Sequence, residues 1–563
     1  MARTVSIGVQ DFEKLISKND FYVDKTNFIK EWWENDDEVT LITRPRRFGK
    51  TLNMNMLERF FSVRHEGSGE IFRGLDIWQE EKYRELQGTY PVIFLSFADV
   101  KADNYVDARE QIFQIITDLY AANEKLRDSW KLGRKDIEFF DRVGKEMSNS
   151  DAFVALRRLS DYLYRYNGKK VIILLDEYDT PLQEAYISGY WKEMVSFTRN
   201  LFNSTFKTNP YMERAVMTGI TRISKESLFS DLNNLKVVTM SSDKYASCFG
   251  FTEEEVFTAM DEFGMTNKEE VKQWYDGFSI GSLKDIYNPW SITSMLDEGK
   301  LNPYWANTSS NSLASSLIRR GDKNIKMQFE DLLSGKTIAS QIEEEIVFDQ
   351  LKGSSWAVWS LLLTAGYLKI TTVHEKEYEL ILTNYEVKHA FENMIWRWFH
   401  EETGDYNDFV KALLRGDLEE MNKYMNEMTA SMLSMFDAGN KPSRRAPERF
   451  YHGFVLGLLV ELAGRYKVTS NRESGFGRYD VMLEPLSRED NGIINNDKKD
   501  DAIIMEFKVH DLEKESTLEE TVHAALRQID EKKYEQSLLD SGIPKERIRK
   551  YGFAFEGKKV LIG

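Results

Sequence analysis

Apolar residues in the first half of the chain fall into short β-rich runs separated by long helical stretches. Runs at 38–43, 91–97 (PVIFLSF), 170–175 (KVIILL) and 214–218 (RAVMT) predict four strands. Helical periodicity fills the gaps, as at 104–124 and 151–166. Strands alternating with helices predict a parallel sheet covered on both faces, with ligands at the carboxyl ends of the strands. From about 245 to 440 the pattern is mostly helical. Aromatic clusters at 274–278 (WYDGF), 287–292 (YNPWSI) and 303–305 (PYW) punctuate it and read as packing corners. Strand-like pattern returns at 476–485 (FGRYDVMLEP) and 502–509 (AIIMEFKV). A helix over 448–464 precedes these, a helix over about 517–533 follows, and the strand pair YGFAFEG and KKVLI closes the chain. The polar stretch 486–501 predicts a mobile hairpin loop.

At 563 residues the chain exceeds one core, so two to four domains are expected. Its 42% hydrophobic and 13% aromatic content excludes disorder. No apolar run approaches a membrane span, and the first residues, MARTVSIGVQDF, lack a signal-peptide core. A single cysteine, Cys248, excludes an internal disulfide and most zinc sites. A cytoplasmic protein without membrane partners is expected. The net charge of −17 argues against a constitutive nucleic-acid coat. Residues 441–563, however, carry as many Lys and Arg as Asp and Glu, which leaves room for a local basic groove.

Candidate chemistry starts at 41–52, LITRPRRFGKTL. A strand, a tight turn and Gly49-Lys50-Thr51 are the parts of a phosphate-binding P-loop, in order. Loop amides face phosphate oxygens, Lys50 reaches the β/γ phosphates, and Thr51 offers its hydroxyl to Mg²⁺. The usual first glycine is Arg44, so the loop gives up φ freedom and gains three guanidinium groups, Arg44, Arg46 and Arg47, that could face phosphate. A bare GKT also occurs in surface turns; VIILLDE at 171–177 supplies the second element. There Asp176 would hold Mg²⁺ through water and Glu177 would polarise an attacking water. Thr218 ends a neighbouring strand and is the candidate sensor of the terminal phosphate, with Arg222 as a charge contact. The expected nucleotide site is therefore Arg44, Pro45, Arg46, Arg47, Phe48, Gly49, Lys50, Thr51, Asp176, Thr218 and Arg222.

In AIIMEFKV, Glu506 and Lys508 lie at i and i+2 and share one strand face. Charges inside an apolar strand are costly unless paired or used. If the GRYD strand pairs with it, Asp480 joins that face, and Asp480 with Glu506 would bind Mg²⁺ while Lys508 positions water for attack on a phosphodiester. Gln528 and Glu448, on the flanking helices, are further candidates, Glu448 as a metal ligand. The bland alternative is a buried Glu506–Lys508 salt bridge.

Together these stretches resemble a known pairing. YVDKT, TRPRRFGKTLNMNML, VIILLDEYDTP and TGITRISKESLFSDLNNL resemble the AAA-ATPase-like domain of bacterial proteins. ERFYHGFVLGLL, GRYDVML, AIIMEFKV and ALRQIDEKKY resemble the PD-(D/E)xK nuclease superfamily. The resemblance implies an α/β fold: a P-loop ATPase parallel sheet with helices on both faces, a mostly helical middle, and a C-terminal α/β restriction-endonuclease-like domain. The expected boundaries are 1–244, 245–440 and 441–563. Arginine at the first P-loop position belongs to the family pattern. ATP and Mg²⁺ are the implied cofactors and nucleic acid, with DNA favoured, the implied partner.

The leading expectation is an ATPase with a metal-dependent nuclease gated by nucleotide. The alternative is a nucleotide switch whose nuclease-like domain binds nucleic acid or protein without cutting. The intact Asp480, Glu506 and Lys508 set favours catalysis. Homo-oligomerisation stays open, since an arginine supplied in trans would need a subunit interface.

Overall fold

The computed structural model describes residues 3–221, 228–229, 232–305, 314–315, 317–318, 323–343, 351, 354–374, 377–400, 407–433, 455, 459, 462, 465–474, 477–486, 500–511, 515–556 and 559–563. Arg222, Glu448, most of the expected helix at 448–464 and loop residues 487–499 lie outside them. Two compact units result: Met1–Ile325 with Gly335–Ala390, and Lys326–Ser334 with Phe391–Gly563. These units cut across the boundaries expected at 244 and 440.

The first unit is built on a parallel sheet of β1 (Val39–Thr43), β2 (Val92–Ser96), β3 (Val171–Asp176), β4 (Met212–Gly219) and β5 (Leu235–Val238). The order is β2-β3-β4-β1-β5. The four expected strands are all present. β5 escapes the apolar pattern because only Val238 of its four residues is buried. Helices flank the sheet. Ile42, Ile172, Leu174, Val216 and Val238 share a core with Met54, Leu57, Phe60 and Phe61 of the helix Lys50–Phe61. Each such side chain contributes roughly 1.5–3 kcal/mol by leaving water. The order has one functional consequence. β4 runs between β1 and β3, so its carboxyl end stands between the loop after β1 and the carboxylates after β3.

The middle of the chain carries helices, as expected, and two small antiparallel sheets. One contains β6 (Phe251–Thr252), β7 (Phe278–Ile280) and β8 (Leu283–Tyr287) in the order β6-β8-β7. The other contains β9 (Ile338–Gln341), β10 (Leu368–His374) and β11 (Glu377–Leu382) in the order β10-β11-β9. The aromatic clusters do pack together: Trp274 meets Tyr385 at 4.8 Å, and Trp305 meets Tyr367 at 5.2 Å and Phe278 at 6.0 Å.

The second unit holds a mixed sheet, β12 (Tyr466–Ser474), β13 (Gly477–Pro485), β14 (Ala502–Val509), β15 (Ile548–Glu556) and β16 (Lys559–Ile562), in chain order. Only β14 and β15 are parallel, and the helix Leu518–Glu531 makes that crossover. The helix Leu418–Leu433 covers the edge of β16. Asn422 exchanges hydrogen bonds with the Ile562 amide and carbonyl, both at 2.8 Å. One turn on, Asn426 does the same with Val560 at 2.7 and 3.0 Å. Residues 407–433 therefore belong to this unit, because its core and its sheet edge both need them.

Near β8, Asp276 is half-buried and pushed up to about 6, first by burial and then by the charge and hydrogen bond of Asp285. Lys272 Nζ stands 3.9 Å from Asp285. Folding thus favours protonated Asp276. Its stabilising contribution is complete below about pH 4 and is lost as pH rises through about 6. Asp276→Asn should therefore raise the melting temperature at pH 7–8 and change it little at pH 4. Equal shifts at both pH values, read by thermal unfolding, would refute this linkage.

Candidate functional sites

The loop after β1 ends at Gly49, whose φ of 82° is the left-handed conformation glycine adopts without strain. The helix Lys50–Phe61 starts there with no side-chain cap. Lys50 is 3% exposed. Its Nζ donates to the carbonyls of Arg44 and Pro45, both at 3.2 Å, and lies 3.3 Å from Glu177 Oε1.

At the end of β3, Asp176 is fully buried. The Thr51 hydroxyl donates to one of its oxygens at 2.7 Å and the Thr218 hydroxyl to the other. Adjacent strand residues would point to opposite faces. Glu177 escapes that rule by adopting φ 53°, which turns its carboxylate towards Lys50. Burial first, then Glu177, raises the Asp176 pKa, while Thr218, Thr51 and Lys50 pull it down. This surplus of buried negative charge beside a hydroxyl suits a hard divalent cation, and Thr51 and Asp176 are oxygen donors of the type Mg²⁺ takes.

The expectation of three phosphate-facing arginines needs correction. Arg44 is 0% exposed, and its Nη1 donates to the carbonyls of Thr43 at 2.9 Å and Thr239 at 2.8 Å. Nη2 reaches Lys244 O at 3.3 Å, and the group stands 5.5 Å from the Phe249 ring centroid. Arg44 thus ties the loop to the carbonyls at the end of β5. Arg46 donates to Gln183 Oε1 at 3.4 Å, and Arg47 stacks over Trp290 at 4.2 Å. Pro45 and Phe48 are buried.

Asp179 was not anticipated, although it follows directly in LLDEYD. It is fully buried. One of its oxygens accepts from Ile220 N at 3.1 Å, Thr221 N at 2.9 Å, Thr221 Oγ1 at 2.8 Å and Gln183 Nε2 at 2.8 Å. It therefore pins the chain leaving β4 against the turn leaving β3. Gly219 is required at this junction, because a Cβ there would lie 2.6 Å from the Tyr178 ring.

In the second unit, β13 pairs antiparallel with β14, Val481 opposite Met505. Asp480 accepts a hydrogen bond from Phe507 N at 2.8 Å. Glu506 is 3% exposed. Gln528 bridges the two charges: its Oε1 accepts from Lys508 Nζ at 2.7 Å, and its Nε2 donates to Glu506 and, at 3.1 Å, to Tyr534 Oη. The structure so brings Asp480, Glu506, Lys508 and Gln528 into one cluster. Among the described residues no three His, Cys, Asp or Glu side chains form a metal-binding group. Two carboxylates with water in the remaining positions still fit Mg²⁺, which seldom takes an all-protein cage.

Residues 6–229 match a family described as predicted AAA-ATPase, and residues 446–563 match the PD-(D/E)XK nuclease superfamily. The chain carries an AAA-ATPase-like domain and a C-terminal nuclease-superfamily domain. A curated relative, an uncharacterised protein from the vnfD 5′ region of Azotobacter chroococcum mcd 1, is 25% identical over 82% of this chain and 84% of its own. Among solved structures, the ORC2 protein of Aeropyrum pernix in ADPNP–ADP complexes aligns at 10% identity and TM-score 0.23, over 66% of this chain and 92% of that one. Drosophila ORC bound to AT-rich DNA and Cdc6 aligns at 9% and 0.17, over 68% and 93%. Among the described residues no helix is long and apolar enough to cross a membrane.

In the ATPase-like domain, Asp179→Ala should strand four buried donors and cost about 3 kcal/mol or more. Asp179→Asn keeps an oxygen acceptor and removes a buried charge, so it should cost under about 1 kcal/mol. Denaturant unfolding of the two variants checks this; equal losses would mean that the charge, not the acceptor, holds the junction.

Proposed function

We propose that the protein binds and hydrolyses ATP and uses its C-terminal domain as a metal-dependent nuclease on DNA, under nucleotide control. The observation that carries the nuclease reading is the Glu506–Gln528–Lys508 bridge beside Asp480. A carboxylate and an ammonium held in an apolar strand are expensive to keep without a use. The ATPase reading rests on Lys50, Thr51, Asp176 and Glu177 gathered at the carboxyl ends of β1 and β3, on either side of β4.

Phosphate oxygens bind an ammonium more strongly than neutral carbonyls do. A triphosphate therefore draws Lys50 away from the Arg44 and Pro45 carbonyls and from Glu177. Glu177 is then available to orient the attacking water, while Thr218 stays on Asp176 at the position of a terminal-phosphate sensor. Arg46 and Arg47 supply further positive charge. In the nuclease site Asp480 and Glu506 hold the cation, Lys508 positions water, and Gln528 keeps Lys508 in place. Mg²⁺, when bound at either site, supplies Lewis-acid polarisation of a phosphoryl oxygen.

DNA cleavage with Mg²⁺ or Mn²⁺, with and without ATP, tests the reading. Wild type should cut, Lys508→Ala should be slower by about 100-fold or more, and Lys50→Ala should lose the response to ATP. DNA left intact under every condition, with ATP hydrolysis retained, would sink the nuclease reading in favour of a switch that binds without cutting.

A further inference from the structure

The loop Arg44–Gly49 lacks the first glycine of its motif, yet one of its residues still takes a glycine-like shape. Arg47 has φ 66°, a conformation costly for a long side chain and retained only where neighbours enforce it. The enforcing neighbours come from the YNPW segment ahead of and within the helix Pro289–Glu298. Asn288 is completely buried, and its Nδ2 donates to the Arg46 carbonyl at 3.2 Å. Its Oδ1 accepts from Trp290 N at 2.9 Å and so caps the same helix. One amide thereby fixes the peptide joining Arg46 to Arg47 and the start of the helix that carries Trp290. The Trp290 ring lies under the Arg47 guanidinium at 4.2 Å. Phe48 adds a ring contact with Phe278 at 4.9 Å, and its carbonyl accepts from Gly250 N at 3.4 Å.

Stacking occupies the face of a guanidinium and leaves its N–H edge able to donate to phosphate. We propose that Asn288 and Trp290 are positioning residues of the nucleotide site, holding Arg46 and Arg47 in the shape that receives the phosphates of a nucleoside triphosphate. The proposal rests on the nucleotide-binding reading above. It gives the middle of the chain a share in that site: the segment enforces, from outside the loop, a left-handed backbone shape that a glycine would adopt without strain.

The test is equilibrium binding of ATP to the full chain, comparing wild type with Lys50→Ala, Asn288→Asp, Trp290→Leu and Trp290→Phe. Asn288→Asp keeps a good helix cap but cannot donate to the Arg46 carbonyl. It should bind ATP about tenfold more weakly, the loss of one buried hydrogen bond. Trp290→Leu should lose a similar factor, and Trp290→Phe, which keeps an aromatic face, should recover most of it. Without nucleotide the Trp290 variants should melt like wild type, and Asn288→Asp, which buries a charge, should melt lower while staying folded at the binding temperature. Wild-type affinity in Asn288→Asp and Trp290→Leu, with Lys50→Ala defective, would overturn the positioning role alone. Weakened binding that only follows a lowered melting temperature, with Trp290→Phe no better than Trp290→Leu, would reduce both residues to structural supports and overturn it too. No ATP binding by wild type, or equal binding by Lys50→Ala, would bring down the nucleotide reading and the proposal with it.

Discussion

Three carboxylates within four residues, Asp176, Glu177 and Asp179, set the terms for the first unit. Asp176 and Asp179 are fully buried, and a buried carboxylate costs several kcal/mol unless donors meet it. Each is met from a different direction. Hydroxyls from the helix after β1 and from β4 take Asp176, Lys50 takes Glu177, and the backbone leaving β4 takes Asp179. Only a strand order with β4 between β1 and β3 puts all these donors within reach. The fold and the site therefore answer the same electrostatic demand. The demand is only partly met, since burial and Glu177 still push Asp176 upwards. The cation and triphosphate proposed above would enter where this positive charge is lacking.

The four main strands are legible in the sequence because a parallel sheet buried on both faces writes itself as continuous apolar runs. β5 is not, since a short edge strand with three partly or fully exposed residues leaves no such run. Lys50, Thr51, Asp176 and Thr218 follow from motif plus strand end. The placing of Glu177 follows only in part, because a left-handed φ at a glutamate has no signal in residue type. Arg44 is misread for a related reason: periodicity fixes side-chain direction inside elements, not in a tight loop, and an arginine at the first position of a P-loop-like motif looks phosphate-facing. The Asp179–Gln183 pair was open to discovery, as an i,i+4 acid and amide following the strand. The small sheets of the middle region lie beyond pattern reading, since their strands run from two to seven residues and one of them carries a left-handed residue, Asp285, in its middle.

In the second unit one glutamine does what no charged residue could. An amide both donates and accepts, so Gln528 can join a carboxylate and an ammonium that sit two residues apart on one strand face. A glutamate there would oppose Glu506, and a lysine would oppose Lys508. The neutral bridge keeps both ions in place without collapsing them onto each other. At the far edge of the same sheet, Asn422 and Asn426 use the same double capacity on backbone groups, occupying the amides and carbonyls of Val560 and Ile562. That stretch of β16 is thereby closed to strand addition, the usual way a sheet edge captures an extended peptide. The nuclease reading proposed above therefore rests not on that edge but on the Asp480, Glu506 and Lys508 cluster at the β13–β14 pair.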